Sequence, residues 1–144
     1  MWYVVDSEPG SYLYCGLSRD ASKEEILERI NNNTITDILN KIEVKAGDVV
    51  MVKAGTIHAI GAGVFICEIQ QNSNCTYRMY DYDRRDKFGN PRELHVKKAL
   101  DVVDNHKYIK DNKTEVVIAR NEHFTEERLV QCKYFEVYKL SLIH

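Results

Sequence analysis

Short apolar segments separated by turn residues run along most of the chain. Trp2–Val5 and Ser11–Gly16 are typical of β-strands, because tyrosine, leucine, valine and cysteine suit a pleated surface. The same pattern predicts further strands at Val49–Val52, His58–Ile60, Val64–Gln70, Thr76–Tyr82, Glu115–Ala119 and Lys133–Leu142. Mostly short turns separate these segments, which favours a β-sandwich or barrel.

Helical periodicity is confined to a few segments. Ser22 followed by Glu25 matches a capping box, which marks the start of a helix. The apolar face of this helix is expected to contain Ile26, Leu27 and Ile30. Thr36–Lys41 is predicted to form a second short helix and His95–Val103 a third. We therefore expect a mainly β protein with short helical insertions, the first at about residues 22–41.

Composition and charge narrow the class of protein. The 144 residues suit one domain, 44% of them are hydrophobic, and the formal net charge is −2. This balance favours neither nucleic acid nor an anionic membrane surface as a partner. No apolar run approaches the roughly 20 residues that span a bilayer, and no basic segment follows Met1, so a cytoplasmic location is expected. None of the four cysteines forms a CxxC pair, so a zinc-ribbon site is not supported.

Residues 47–58, GDVVMVKAGTIH, form the segment with the strongest chemical signal. Gly47 suits the turn into the strand, and Gly55 suits a reversal of the chain. His58 follows at a position where a rigid strand would hold its imidazole, as metal-binding sites require. Spacing alone leaves open that His58 is an ordinary core or surface residue.

The spacing of this segment resembles the second conserved motif of the cupin superfamily: Gly, five residues, Pro, one residue, Gly, two residues, His. Lys53 stands where proline is usual, and Ala62 stands where an asparagine is expected. The resemblance implies a cupin-like jelly roll or β-sandwich, with residues 1–144 forming a single, partial domain. It also implies that His58 is a metal ligand.

The following residues narrow the resemblance. HAIGAGVFICEIQQNSNCTYRMYDYDR, from His58 to Arg84, closely resembles the type I mannose-6-phosphate isomerases, especially the short bacterial kind. Pro91–Val103 and the opening WYVVD also resemble that family. The resemblance implies a zinc-assisted aldose–ketose isomerisation between mannose 6-phosphate and fructose 6-phosphate, with a small sugar phosphate as the partner.

Carried onto this chain, the resemblance assigns roles to individual residues. His58 is implied as the zinc ligand, and Arg78 as a catalytic or substrate-orienting cation. Glu68 and Lys53 are candidates for substrate binding. The residues alone leave open that Arg78 only forms an ion pair with a nearby acidic side chain, such as Glu68 or an aspartate. They equally leave open that Lys53 is a solvated turn residue.

The remaining metal ligands of the family have no counterpart here, because the other histidines all lie downstream and none forms an HxH pair. We therefore expect the chain to be an internal fragment of a zinc isomerase. Alone it would be inactive or nearly so, and it would form a homodimer through exposed strand edges. An alternative is a metal-free, cupin-like sugar-binding or regulatory module. A third possibility is an unrelated β-sandwich interaction domain.

Overall fold

The computed structural model describes residues 1–73, 75–110 and 116–143, in which strands predominate. The strands are β1 (Trp2–Ser7), β2 (Tyr12–Leu17), β3 (Leu39–Glu43), β4 (Val49–Val50), β5 (His58–Ile60), β6 (Val64–Glu68), β7 (Val116–Arg120), β8 (Phe124–Gln131) and β9 (Glu136–Leu142). The helices are α1 (Lys23–Asn31), a 3₁₀-helix (Ile35–Ile38) and α2 (Val96–Val102). The mainly β prediction with short helical insertions is confirmed. Among these residues, no helix has the length and apolar character needed to cross a membrane.

Three antiparallel sheets carry the architecture. Their strand orders are β4-β1-β6, β3-β2-β5 and β7-β8-β9. Strand β2 is central in the second sheet and sets the position of β5, since Cys15 lies opposite His58 and Tyr14 opposite Ala59. Strand β1 is central in the first sheet, where Trp2 lies opposite Glu68 of β6. The two central strands therefore fix the positions of β5, which begins at His58, and of β6, which follows it in the chain.

The core lies between these sheets and the helices. One buried cluster joins the first two sheets through Trp2, Val4, Leu13, Cys15, Val44 and Val50. A second packs the helices against the end of β2 through Leu17, Ala21, Ile26, Ile30, Ile35, Ile38, Leu39 and Val103. A third connects the third sheet to β4 through Met1, Val49, Leu129 and Val130. Burial of apolar area in these clusters is the main favourable contribution to folding.

The start of helix α1 follows the sequence prediction. Ser22 is its N-cap, and the Ser22 hydroxyl oxygen accepts a hydrogen bond from the Glu25 backbone N–H at 3.1 Å. The Glu25 carboxylate accepts hydrogen bonds from Arg19 and Arg29, at 3.0 Å and 2.9 Å. Because these guanidiniums favour the ionised carboxylate, Arg19 first and then Arg29 lower the pKa of Glu25 to about 2.

Replacing Ser22 with alanine is expected to lower the free energy of unfolding by about 1 kcal/mol, because one donor of the first helical turn loses its acceptor. Urea denaturation followed by circular dichroism measures this change. Thr34→Ala is the matched control, because Thr34 caps the 3₁₀-helix without a side-chain hydrogen bond. Equal losses in both variants would show that the Ser22 cap does not act as described.

Two predicted helical features are wrong in detail. Leu27 is 39% exposed, so the buried face of α1 is carried by Ile26 and Ile30. The predicted helix at Thr36–Lys41 is instead the end of the 3₁₀-helix followed by strand β3. Pairing with β2 explains the difference, since Leu39 lies opposite Leu17, and such tertiary pairing overrides a weak local helical preference.

The strand predictions also need correction. Thr76–Tyr82 has no strand conformation, and the predicted strand at Val49–Val52 ends at Val50. Tyr82 has a left-handed backbone with φ of 56°, which is incompatible with an extended ladder. Strand β8 was not predicted, and Glu115, at the start of another predicted strand, lies outside the described residues. The predicted strands near His58 and Val64 and the predicted helix near His95 are confirmed.

Candidate functional site

A cavity of about 480 Å³ opens between strand β5, the irregular segment 75–82 and helix α2. Its floor is apolar, with Ile35, Leu39 and Val103 contributed by the helical core cluster. Its polar lining includes Thr56, His58, Gln70, Arg78, Asp81, Arg84 and Arg92. A concave apolar site with a few convergent polar groups is the usual form of a small-molecule site.

His58 enters the cavity at the start of strand β5, and its imidazole is oriented from two sides. Nδ1 lies 2.7 Å from the Thr56 carbonyl oxygen. Because a carbonyl can only accept, we assign the proton to Nδ1, which leaves the Nε2 lone pair available. The ring also packs edge-on against Trp2, with 5.3 Å between ring centroids. A second hydrogen bond of this kind is what orients metal-binding histidines in proteins.

The turn before His58 requires glycine at position 55. Gly55 has φ of +83°, and a Cβ added there would lie 2.7 Å from the carbonyl oxygen of Val102 in helix α2. The Asp104 backbone N–H donates to the Gly55 carbonyl oxygen at 2.9 Å. The close approach of this turn to the end of α2 therefore shapes one wall of the cavity.

Arg78 lies on the irregular segment and is held by backbone contacts. Its backbone N–H donates to His95 Nδ1 at 3.2 Å, and the His95 backbone N–H donates to its carbonyl oxygen at 2.7 Å. Its Nη1 donates to the carbonyl oxygen of Glu93 at 3.3 Å. Arg78 is half-buried, and in the described ranges no acidic side chain lies within 4.0 Å of its guanidinium, so the alternative of an ion pair is not observed. The arginine therefore offers its charge to the cavity.

The charged lining has an excess of positive charge. Arg78, Arg84 and Arg92 contribute three positive charges and Asp81 one negative charge, which leaves two positive charges uncompensated. Asp81 is buried, and its Oδ1 pairs with both Arg84 and Arg92. The cavity is therefore suited to an anionic ligand.

Tyr82 adds a hydroxyl to the same lining. Burial is the main cause that raises the pKa of Tyr82, with a smaller contribution from Tyr12, and the nearby Arg84 opposes it. A tyrosine phenol is protonated at neutral pH even without this shift, so the Tyr82 hydroxyl can donate a hydrogen bond.

The structure brings only two of the predicted site residues together at the cavity. His58 and Arg78 both line it. Glu68 is connected indirectly, because its Oε1 accepts a hydrogen bond at 3.0 Å from Nε1 of Trp2, whose ring packs on His58. Lys53 is exposed in the turn before β5 and, like Glu68, is not part of the described lining.

Sequence reasoning missed Asp81, Arg84 and Arg92. The charge-rich run from Tyr80 to Asp86 is typical of a solvated loop, and most of its side chains are indeed exposed. The burial of Asp81 and the return of the chain at Arg92 depend on tertiary structure. Only the placement of four arginines within Arg78–Arg92, close to one predicted site, could have indicated an anion-binding wall.

A catalytic zinc site needs about three protein ligands and an open position. His58 has the arrangement of such a ligand, with Nδ1 bonded and Nε2 available. Within residues 1–73, 75–110 and 116–143, no group of three or more histidine, cysteine, aspartate or glutamate side chains could hold a metal ion. The described residues therefore do not form a zinc site by themselves.

Comparison with known proteins finds sequence similarity to bacterial mannose-6-phosphate isomerases. The chain is 38% identical over 141 residues to mannose-6-phosphate isomerase ManA of Bacillus subtilis (strain 168), covering 98% of this chain and 44% of that protein. It is 44% identical over 102 residues to the mannose-6-phosphate isomerase of Streptococcus mutans, covering 71% of this chain and 32% of that protein.

The same relationship is seen in three dimensions. The crystal structure of the mannose 6-phosphate isomerase from Bacillus subtilis matches with a TM-score of 0.87 and 36% identity, over 98% of this chain and 44% of that one. No protein-family model matches the chain. The chain thus spans less than half the length of the curated relatives that it matches.

Proposed function

Because the chain belongs to the mannose-6-phosphate isomerase family, we propose that it forms part of an enzyme that interconverts mannose 6-phosphate and fructose 6-phosphate. The observation that carries this proposal is the placement of His58 and Arg78 around one cavity with excess positive charge. An aldose–ketose isomerisation moves a proton between neighbouring carbons and develops negative charge on the sugar oxygens. An unpaired guanidinium beside the sugar suits that charge.

Arg78 is proposed to act in this site by orientation and charge. The contacts with His95 and Glu93 fix its backbone and one guanidinium nitrogen, while the other donors have no acidic partner in the described ranges. A planar guanidinium can bind two sugar oxygens at once and holds their negative charge at little reorganisation cost.

The proposal includes zinc as the metal of the complete enzyme. When bound, zinc would supply Lewis-acid polarisation of a sugar oxygen. His58 would contribute one imidazole through Nε2, and the remaining ligands would come from residues outside the described ranges. Since one imidazole holds zinc weakly, we propose that the chain alone has little or no turnover.

The other predicted residues keep proposed roles. Glu68 would act through Trp2, whose ring packs on His58, and so would help to orient the imidazole. Lys53 would attract the anionic substrate from the turn before β5 without contacting the cavity lining. The cytoplasmic location expected from the sequence stays a prediction.

Self-association is proposed through strand β9. In the described ranges β9 is an edge strand, paired only with β8. Its outward face exposes Tyr138, Leu140 and Leu142 by 45%, 61% and 65%. An apolar edge strand of this kind favours pairing with another chain, which supports a homodimer.

A metal-free sugar-binding module is the second candidate function. It is favoured by the lack of a three-ligand group in the described residues. Both candidates place a sugar in the same cavity, but only the isomerase requires a metal and a reaction. Metal dependence of turnover therefore separates the two candidate functions.

Binding of mannose 6-phosphate to the chain tests the proposed substrate. We expect nuclear magnetic resonance titration to shift the backbone amide signals of Thr56, His58 and Arg78, which line the cavity. Mannose without the phosphate is the matched ligand control and is expected to bind more weakly, because it lacks the charge that the arginines favour. Shifts located elsewhere, or equal affinities for the two sugars, would contradict the proposal.

A further inference from the structure

Two arginines lie side by side on the cavity wall because a single buried carboxylate holds both. The Asp81 side chain is 8% exposed, and its Oδ1 forms a hydrogen-bonded ion pair with Arg84 Nη2. Arg92 Nη1 lies 3.6 Å from the same oxygen. The two arginine side chains are 62% and 53% exposed, so most of their donors face open space.

Local hydrogen bonds support this convergence. Arg84 Nε also donates to the Asp81 carbonyl oxygen at 3.3 Å, and the Arg84 backbone N–H donates to that oxygen at 3.0 Å. The chain then reverses in a turn fixed by Asp86, whose Oδ1 accepts from the backbone N–H groups of Phe88 and Asn90 at 2.8 Å and 2.9 Å. This reversal returns the chain so that Arg92 reaches the same carboxylate.

The charges in this cluster do not balance. One carboxylate neutralises one guanidinium, but here two guanidiniums share it, and its Oδ2 is buried without a partner among the described residues. The neighbouring acidic groups are already engaged, since Asp83 pairs with Arg85 and Asp86 closes the turn. The cost of removing the Asp81 carboxylate from water offsets much of its attraction to the two arginines, so fold stability alone is a weak reason for this arrangement.

We propose that Arg84 and Arg92 together bind the phosphate group of a phosphorylated ligand, with Asp81 as the residue that holds them in place. Guanidinium groups match phosphate oxygens with paired, charge-assisted hydrogen bonds. Asp81 repels an incoming anion only weakly, because its carboxylate is buried behind the two arginines. That the ligand is a sugar phosphate rests on the proposed function, whereas phosphate binding by the pair does not.

The test is titration of the full chain with inorganic phosphate at low ionic strength, followed by calorimetry. Arg84→Gln and Arg92→Gln are each expected to weaken phosphate binding by about tenfold or more, the usual loss for a hydrogen bond to a charged group. Arg84→Lys is expected to recover part of the loss by restoring the charge without the planar donors. Arg85→Gln is the matched control, because Arg85 pairs with Asp83 and does not line the cavity.

Several outcomes overturn the inference. The inference is wrong if Arg85→Gln weakens phosphate binding as much as Arg84→Gln and Arg92→Gln do. It is also wrong if the unmodified chain shows no measurable phosphate binding. Unchanged phosphate affinity in Arg84→Gln and Arg92→Gln also overturns the inference. In that case the proposed function still stands if mannose 6-phosphate shifts the backbone amide signals of the cavity residues.

The converse result is that Arg84→Gln and Arg92→Gln both weaken phosphate binding while the unmodified chain binds mannose 6-phosphate no better than mannose. This result supports phosphate binding by the arginine pair and contradicts the proposed substrate. Thermal denaturation of each variant confirms that it is folded.

Discussion

Replacing Arg78 with methionine is expected to lower the turnover of mannose 6-phosphate by about 10²- to 10³-fold, the usual loss when one group that stabilises developing charge is removed. The experiment uses a chimera in which this chain replaces the matching segment of the Bacillus subtilis isomerase. Methionine retains most of the packing volume of arginine but removes its donors and charge. Because Arg78 has no acidic partner in the described ranges, the substitution leaves no carboxylate unpaired.

The loss for Arg78→Met is expected mainly in kcat, because the interaction strengthens as charge develops on the sugar. Zinc content should be unchanged, since Arg78 is not a proposed ligand. Arg85→Met is the matched control, because Arg85 is exposed and lies outside the described cavity lining. Turnover that stays within a few-fold of the unsubstituted chimera would remove Arg78 from the mechanism.

Replacing Trp2 with alanine is expected to lower the free energy of unfolding of the chain by about 3–5 kcal/mol. Trp2 is only 2% exposed and packs with Val4, Leu13 and other residues of the core cluster that joins the first two sheets. Its loss leaves a cavity that rigid strands on both sides cannot close. Guanidinium denaturation measures the change.

Phe88→Ala is the control for the Trp2 substitution, because Phe88 is 77% exposed and its truncation should change stability by less than about 0.5 kcal/mol. Trp2→Phe separates packing from hydrogen bonding, since it keeps a ring beside His58 but removes the donor to Glu68. A loss below about 1 kcal/mol for Trp2→Ala would show that this cluster is not the core described here.

The features that the sequence could predict are local ones. The Ser22 cap, strands β1, β2, β5 and β6, and the spacing from Gly47 to His58 depend on residue order within short segments. The strand near His58 was predicted because apolar residues and turn-forming glycines define it without reference to the rest of the chain. The spacing alone could not give the position of His58 in the sheet. Pairing of His58 with Cys15 on β2 sets that position.

The features that the sequence could not predict depend on distant partners. Leu39–Glu43 becomes a strand because β2 offers it a partner, and Phe124–Gln131 becomes the central strand of a sheet despite its charged residues. Thr76–Tyr82 has the composition of a strand, but Arg78 forms its backbone hydrogen bonds with His95 instead. The convergence of two arginines on Asp81 likewise depends on a reversal of the chain that composition does not reveal.

The role of His58 is tested by measuring the zinc content and the turnover of the chimera with and without this residue. We predict that the chimera retains stoichiometric zinc after dialysis and converts mannose 6-phosphate to fructose 6-phosphate. His58→Ala should lose the zinc and at least about a hundredfold of the turnover, because one of the few ligands of the metal is removed. A folded His58→Ala chimera that retains both zinc and turnover would contradict the claim that His58 belongs to the metal site of an isomerase.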